Sequence, residues 1–140
     1  MGQSHRIADL MTQNPRTITP DSSVADAAKM MRDDDVGLLP VADGDRLVGT
    51  LTDRDVAIRV VAEGRDPDST KVNEVASTDL VTIDPEQTLD EALRLMAQHQ
   101  VRRLPVVEED GKLVGIVAQA DVARHGDDSQ TGQVVERISQ

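Results

Sequence analysis

Apolar residues follow two alternating rhythms along this chain, and the alternation occurs twice. Val24, Ala27, Ala28 and Met31 fall at i, i+3, i+4 and i+7, and Leu89, Ala92, Leu93 and Met96 repeat that spacing. Such spacing predicts a helix with one buried face. Thr88 with Glu91 provides a capping-box start for the second of these helices, and Ser23 with Asp26 a weaker version for the first. A short β-rich run precedes each helix, at 16–19 and 80–83. After each helix come two apolar runs, 38–42 with 47–52 and 104–107 with 113–117, joined by turns containing Asp-Gly. Those pairs predict hairpins. A further helix is expected over 53–63 in the first copy and 119–125 in the second, with short lead-ins at 7–11 and 72–76.

The residues themselves repeat along with the rhythm. Thr17-Ile18-Thr19-Pro20 returns as Thr82-Ile83-Asp84-Pro85, and Val36-Gly37-Leu38-Leu39-Pro40-Val41 as Val101-Arg102-Arg103-Leu104-Pro105-Val106. Leu47-Val48-Gly49 returns as Leu113-Val114-Gly115, and Asp55-Val56-Ala57 as Asp121-Val122-Ala123. The register slips by one residue inside the turns Asp43-Gly44-Asp45 and Glu109-Asp110-Gly111, where insertions are tolerated. Repeat 1 therefore occupies 7–65, repeat 2 occupies 72–125, and a polar tail follows over 126–140.

Each unit is strand–helix–strand–strand–helix, and its own helices can cover only one face of a three-stranded sheet. The expected fold is α+β: two βαββα repeats packed sheet to sheet with pseudo-two-fold symmetry. Two quasi-equivalent clefts along the seam would then be the place for function.

Composition narrows what those clefts could hold. The chain has 140 residues and a net charge of −11, from 15 Lys+Arg against 26 Asp+Glu. A nucleic-acid backbone is a polyanion held by clustered cations, so DNA and RNA are poor partners. Phe, Tyr and Trp are all absent, which removes the platforms on which single-stranded bases stack. With no cysteine there are no disulfides, thiolate clusters or thiol nucleophiles. No apolar run approaches the roughly 18 residues of a membrane span, and the N-terminus lacks a signal-peptide layout, so a cytoplasmic protein without membrane contact is expected. A core built without aromatics is thin for its size, and burying a face against a second subunit would add to it.

The chemistry concentrates at Gly49-Thr50-Leu51-Thr52-Asp53-Arg54-Asp55. A carboxylate at Asp55 can accept two hydrogen bonds from a vicinal diol. Thr52 offers a hydroxyl at a helix N-terminus, where backbone N–H groups also favour phosphate. Gly49 permits close approach of a ligand or another strand. Thr52 and Asp55 at i, i+3 also have the spacing of a helix that caps itself, and the two roles are compatible.

Two motifs, each repeated in order, give the chain its resemblance to a known family. One is the strand ending in Pro-Val, at Leu39-Pro40-Val41 and Leu104-Pro105-Val106. The other is Gly-x-x-Thr-x-x-Asp at 49–55. Over residues 7 to about 124 the sequence resembles the tandem CBS-domain pair, or Bateman module, of the small stand-alone bacterial type. The resemblance implies a regulatory sensor for AMP, ADP, ATP or S-adenosylmethionine, with no required cofactor and no catalysis. It also implies a homodimer in which four repeats form a flat disc.

Carried over residue by residue, the resemblance assigns one cleft to Thr50, Thr52, Arg54 and Asp55 with Leu80, Val81, Val101, Arg102 and Arg103. Leu80, Val81 and Val101 would hold the adenine, and Arg102, Arg103 and Arg54 the phosphates, through forked charge-assisted hydrogen bonds. Arg102-Arg103 also reads as a solvated pair, or as a contact to acidic groups of another chain. The second cleft keeps Asp121 but has Ala118 where the first has Thr52. Gly37 and Leu38 stand in the places of Arg102 and Arg103, leaving Arg16, beside Val36, as the nearby cation. One competent site per chain is expected, on the Asp55 side.

The remaining features read as structural. His5, His99 and His125 are far apart in sequence and suit the surface, so no metal site is assigned, although a metal-responsive variant would use them. Asp33-Asp34-Asp35 suits a solvated turn, and Met30, Met31 and Met96 suit core filling. No nucleophile is paired with a base. With no effector domain in the sequence, the expected output acts in trans on a separate partner. The rival is a ligand-free dimer acting as a scaffold or stress-related interaction protein.

Overall fold

The computed structural model describes residues 5–125, apart from the side chain of His125. Helices α1 (Ile7–Leu10), α2 (Val24–Asp34), α3 (Asp53–Val56), α4 (Val72–Val75), α5 (Leu89–His99) and α6 (Gln119–His125) are interleaved with five strands. The strands are β1 (Thr12–Gln13), β2 (Leu38–Asp43), β3 (Arg46–Thr52), β4 (Arg103–Val107) and β5 (Leu113–Ala118). The fold is α+β with antiparallel sheets.

The chain divides into two compact units, and the division does not follow the repeat boundaries. One unit is Arg16–Leu80; the other joins the described residues before Arg16 to those from Val81 to His125. Each lead-in thus leaves its own repeat. Helix α1 packs with the second repeat, where Ile7 N donates to the Gln87 carbonyl and Ala8 N to that of Pro85, both at 2.9 Å. Helix α4 does the same in the first repeat, with Val72 N on Ser22 O at 2.8 Å and Asn73 N on Pro20 O at 3.0 Å.

Both hairpins form as the alternation requires. In β2–β3, Leu39 pairs with Leu51 and Val41 with Gly49; in β4–β5, Leu104 pairs with Val117 and Val106 with Gly115. Each carries an irregularity at the same place, between Val41 and Ala42 and between Val106 and Val107. Gly44 and Gly111 occupy the left-handed region at the turns, with φ of 67° and 90°.

The first β-rich runs do not form the expected strands. Residues 16–19 and 80–83 each make one parallel bridge, Ile18 to Val41 and Ile83 to Val106. Ile18 N donates to Pro40 O and its carbonyl accepts from Ala42 N, both at 3.0 Å. The proline two residues later, Pro20 or Pro85, has no N–H with which to extend the ladder. On the opposite sheet edge the lead-ins supply what strand pairing there is, Thr12 with Ile116 and Gln13 with Gly115 in one unit, and Ser77 with Thr50 in the other.

The helices bury the predicted stripes. Val24, Ala27 and Met31 of α2 and Leu89, Ala92, Leu93 and Met96 of α5 are buried, each set within its own unit's core. Ser23 Oγ accepts from Asp26 N at 3.0 Å, and Thr88 forms the full box with Glu91. The Thr88 backbone N–H, followed by the Gln87 amide, holds the Glu91 carboxyl below its ordinary value. Both helices end on a left-handed residue, Asp35 and Gln100. Met31 and Met96 fill core as expected. Asp33 and Asp34 complete the last turn of α2, and Asp35 caps it.

The helix expected over 53–63 forms without a break through Val61 but changes type along its length. It runs as α3 and then widens into a π-turn at Ala57–Val61, with Ala62 N bonded to Ala57 O at 2.9 Å. This turn buries Val60 and leaves Ile58 and Val61 exposed, at 50% and 70%. Among the described residues no helix is long and apolar enough to cross a membrane. The tail over 126–140 lies outside the described residues.

Candidate functional site

The β3–α3 junction of the first-repeat unit holds Thr50, Thr52, Arg54 and Asp55, and the strand-to-helix transition fixes their geometry. Thr52 is extended at φ −111° and ψ 162° and ends β3, so its side chain meets the first turn of α3. Its hydroxyl accepts from Asp55 N at 3.0 Å, and Asp55 Oδ2 accepts from Thr52 N at 2.9 Å. The capping role of this pair is therefore present in full. The other oxygen, Oδ1, accepts no hydrogen bond among the described residues and lies 4.0 Å from Arg59 Nε. The carboxylate is 17% exposed. Arg59 also donates to the Val75 carbonyl at 3.1 Å, which fixes it beside α4. Arg59 went unnoticed in the sequence, although its i+4 spacing from Asp55 was readable.

The Asp121 junction in the other unit keeps half of this arrangement. Asp121 Oδ2 accepts from Ala118 N at 3.1 Å, but Ala118 has no hydroxyl to return the bond. The second oxygen is occupied, because Arg124 donates to Oδ1 at 2.6 Å. Arg16, the cation expected near this site, is bonded to Asp34 at 2.7 Å. Val36 packs against the core of its own unit.

The cations expected on the Asp55 side differ. Arg54 and Arg102 are exposed, Arg103 is half-buried at the start of β4, and none of the three forms an ion pair among the described residues. The aligned positions are equivalent in structure too: Arg102 O accepts from Gln119 N at 2.7 Å, and Gly37 O accepts from Asp53 N at 3.0 Å. A Cβ at Gly37 would lie 3.1 Å from Asp53 Oδ2, so that position is crowded where Arg102 carries a full side chain.

Of the apolar residues assigned to the adenine, Leu80 belongs to the first-repeat unit and Val81 and Val101 to the other. Val81 and Val101 are half-buried against that unit's core. At Gly49 the close neighbour is the lead-in: a Cβ there would lie 3.0 Å from the Ser77 carbonyl, and Thr50 exchanges both backbone hydrogen bonds with Ser77. His5 and His99 are exposed. Among the described residues no three His, Cys, Asp or Glu side chains gather as a metal site.

Two α+β units, each ending a hairpin at an acid-capped helix, define a paired-repeat module. Comparison with known proteins gives its family. The CBS-domain profile matches residues 7–62 and 72–128, so the chain belongs to the CBS-domain family as a tandem pair, a regulatory module. CBS domain-containing protein YhcV of Bacillus subtilis (strain 168) is 47% identical over 117 residues, covering 84% of this chain and 82% of its own. Hypoxic response protein 1 of Mycobacterium tuberculosis (strain ATCC 25618 / H37Rv) is 40% identical over 131 residues, covering 93% and 91%. The crystal structure of Hypoxic Response Protein I with two coordinated zinc ions has a TM-score of 0.79 at 40% identity, over 86% of this chain and 98% of that one. CBSX2 in complex with AMP has a TM-score of 0.75 at 29% identity, over 86% and 94%.

The cap geometry makes a direct prediction. Thr52→Ala should lower stability by about 1 kcal/mol, and Ala118→Thr, which restores the missing acceptor, should raise it by a similar amount. Urea unfolding checks both. Equal effects of opposite sign support the equivalence of the two junctions, and no gain from Ala118→Thr contradicts it.

Proposed function

We propose that this chain is a sensor that binds one adenosine-containing nucleotide of the AMP, ADP or ATP type on the Asp55 side, and that it signals to a separate partner protein. The observation that carries the reading is the contrast between the two aspartates. Among the described residues Asp55 keeps one carboxylate oxygen without a hydrogen bond while the other holds the helix start, whereas each oxygen of Asp121 already accepts one. A ribose diol needs such an acceptor. Arg54, Arg102 and Arg103, none of which forms an ion pair among the described residues, suit phosphate in a chain whose net charge of −11 otherwise repels anions. The resemblance assigns Thr50, Thr52, Leu80, Val81 and Val101 to the same ligand. CBSX2, a relative in fold and sequence, is described in complex with AMP.

The same reading includes a homodimer, with Ile58 and Val61 as its apolar contact. Light scattering at twice the 15.2 kDa chain mass supports it, and a mass of one chain ends it.

Thermal unfolding with AMP, ADP, ATP, S-adenosylmethionine and Zn²⁺ tests the sensor. A ligand at a hundredfold excess over its Kd should add about 2.7 kcal/mol. Asp55→Asn, which keeps an acceptor for the cap, should abolish the ligand-induced shift, and Asp121→Asn should leave most of it. A response lost only in the Asp121 variant would place the site on the wrong aspartate. Flat behaviour with every nucleotide would favour the scaffold reading, and a response to Zn²⁺ alone the metal-responsive one.

A further inference from the structure

The two units differ at one place that the nucleotide reading does not use. At the C-terminal end of each lead-in helix stands an extended residue whose N–H closes the helix: Met11 N on Ile7 O at 3.0 Å, and Ala76 N on Val72 O at 2.9 Å. The residue after each pairs with the hairpin, Thr12 with Ile116 and Ser77 with Thr50. Met11 and Ala76 are thus structural equivalents, lying over Gly115 and Gly49 respectively. A Cβ on Gly115 would fall 2.5 Å from Met11 Sδ and 2.9 Å from its Cγ. The thioether chain fills the space above that glycine. At Gly49 the corresponding neighbour is the Ala76 Cβ, 3.6 Å away, and no chain follows it.

What remains in the first-repeat unit is a cavity of about 280 Å³. Val41, Val48 and Gly49 line it from the hairpin, and Pro20 and Ala76 from the segments that cross it. Asp43, Asn73 and Thr78, all exposed, also line it and bring an anion, an amide and a hydroxyl. An apolar space without a filling group forgoes the dispersion contacts that Met11 provides in the sister unit. The lining therefore matches a ligand with an unbranched apolar chain at one end and a zwitterionic head at the other.

We infer that this cavity is a second, independent binding site for a free α-amino acid of the methionine type, its side chain taking the place that Met11 fills in the other unit. Its ammonium group pairs with Asp43, and its carboxylate accepts from the Asn73 amide and the Thr78 hydroxyl. The site lies wholly within residues 20–78 and does not involve Asp55.

Titration of the full chain with L-methionine, followed residue by residue in NMR correlation spectra, tests this. Shifts at Gly49, Ala76 and Val48 that saturate in the roughly millimolar range are expected. Ala76→Met supplies the missing chain from within and should weaken binding by at least about tenfold. Asp43→Asn, at the exposed hairpin end, leaves the cavity intact and should weaken binding by at least about threefold. No shift at these residues up to about 50 mM would overturn the assignment. So would shifts that persist unchanged in Ala76→Met, or an affinity unaltered in Asp43→Asn. Since Asp55→Asn leaves this cavity untouched, loss of nucleotide binding and loss of methionine binding are separable results.

Discussion

The reciprocal pair of hydrogen bonds between Thr52 and Asp55 is the constraint on which the functional geometry rests. It satisfies two donors that a helix start would otherwise leave unpaired, and it does so with one oxygen of the carboxylate. The side chain is thereby held in one orientation before any ligand arrives. Arg59, reaching back from the π-turn toward the same carboxylate, adds a charge on the far side without closing a hydrogen bond. A group held for structural reasons is available, at little further ordering cost, to hold something else. Capping is the first use of this arrangement, and the proposed ligand binding would be a second.

Internal repetition makes the differences between the halves informative. The hairpins, their irregularities, the helix stops and the lead-in hydrogen bonds recur almost unit for unit. Against that background a few substitutions redirect the chemistry. Ala118 for Thr52 halves a cap, and Arg124 then takes the oxygen of Asp121 whose counterpart in Asp55 has no hydrogen bond among the described residues. Gly37 for Arg102 removes a cation, and Asp53 crowds the position. Ala76 for Met11 opens a cavity.

Much of this was legible in the residues. The helices α2 and α5 followed from the i, i+3, i+4, i+7 stripes, and their starts from Ser23 and Thr88, because local periodicity and capping are short-range effects. The hairpins followed from the alternation and the Asp-Gly turns. The exchange of lead-ins did not, because it depends on backbone hydrogen bonds from Ile7 and Val72 to segments distant in sequence, and such partners leave no local pattern. The short parallel bridges at Ile18 and Ile83 looked like strands because Thr and Ile favour extended backbone whether or not a ladder forms. At the site, Thr52 and Asp55 were visible through their spacing. The pairing of Arg16 with Asp34 was not, since long side chains choose distant partners by tertiary position, whereas the i, i+3 spacing of Asp121 and Arg124 on α6 was readable but went unused.

The central claim concerns number as well as identity: a duplicated fold that binds nucleotide through one aspartate only. Calorimetric titration of the purified chain with AMP measures this most directly, because stoichiometry does not depend on which residues are altered. The account predicts saturation at one nucleotide per chain. Two per chain would show that the Asp121 side is also competent, and no heat at any accessible concentration would contradict the role given to Asp55.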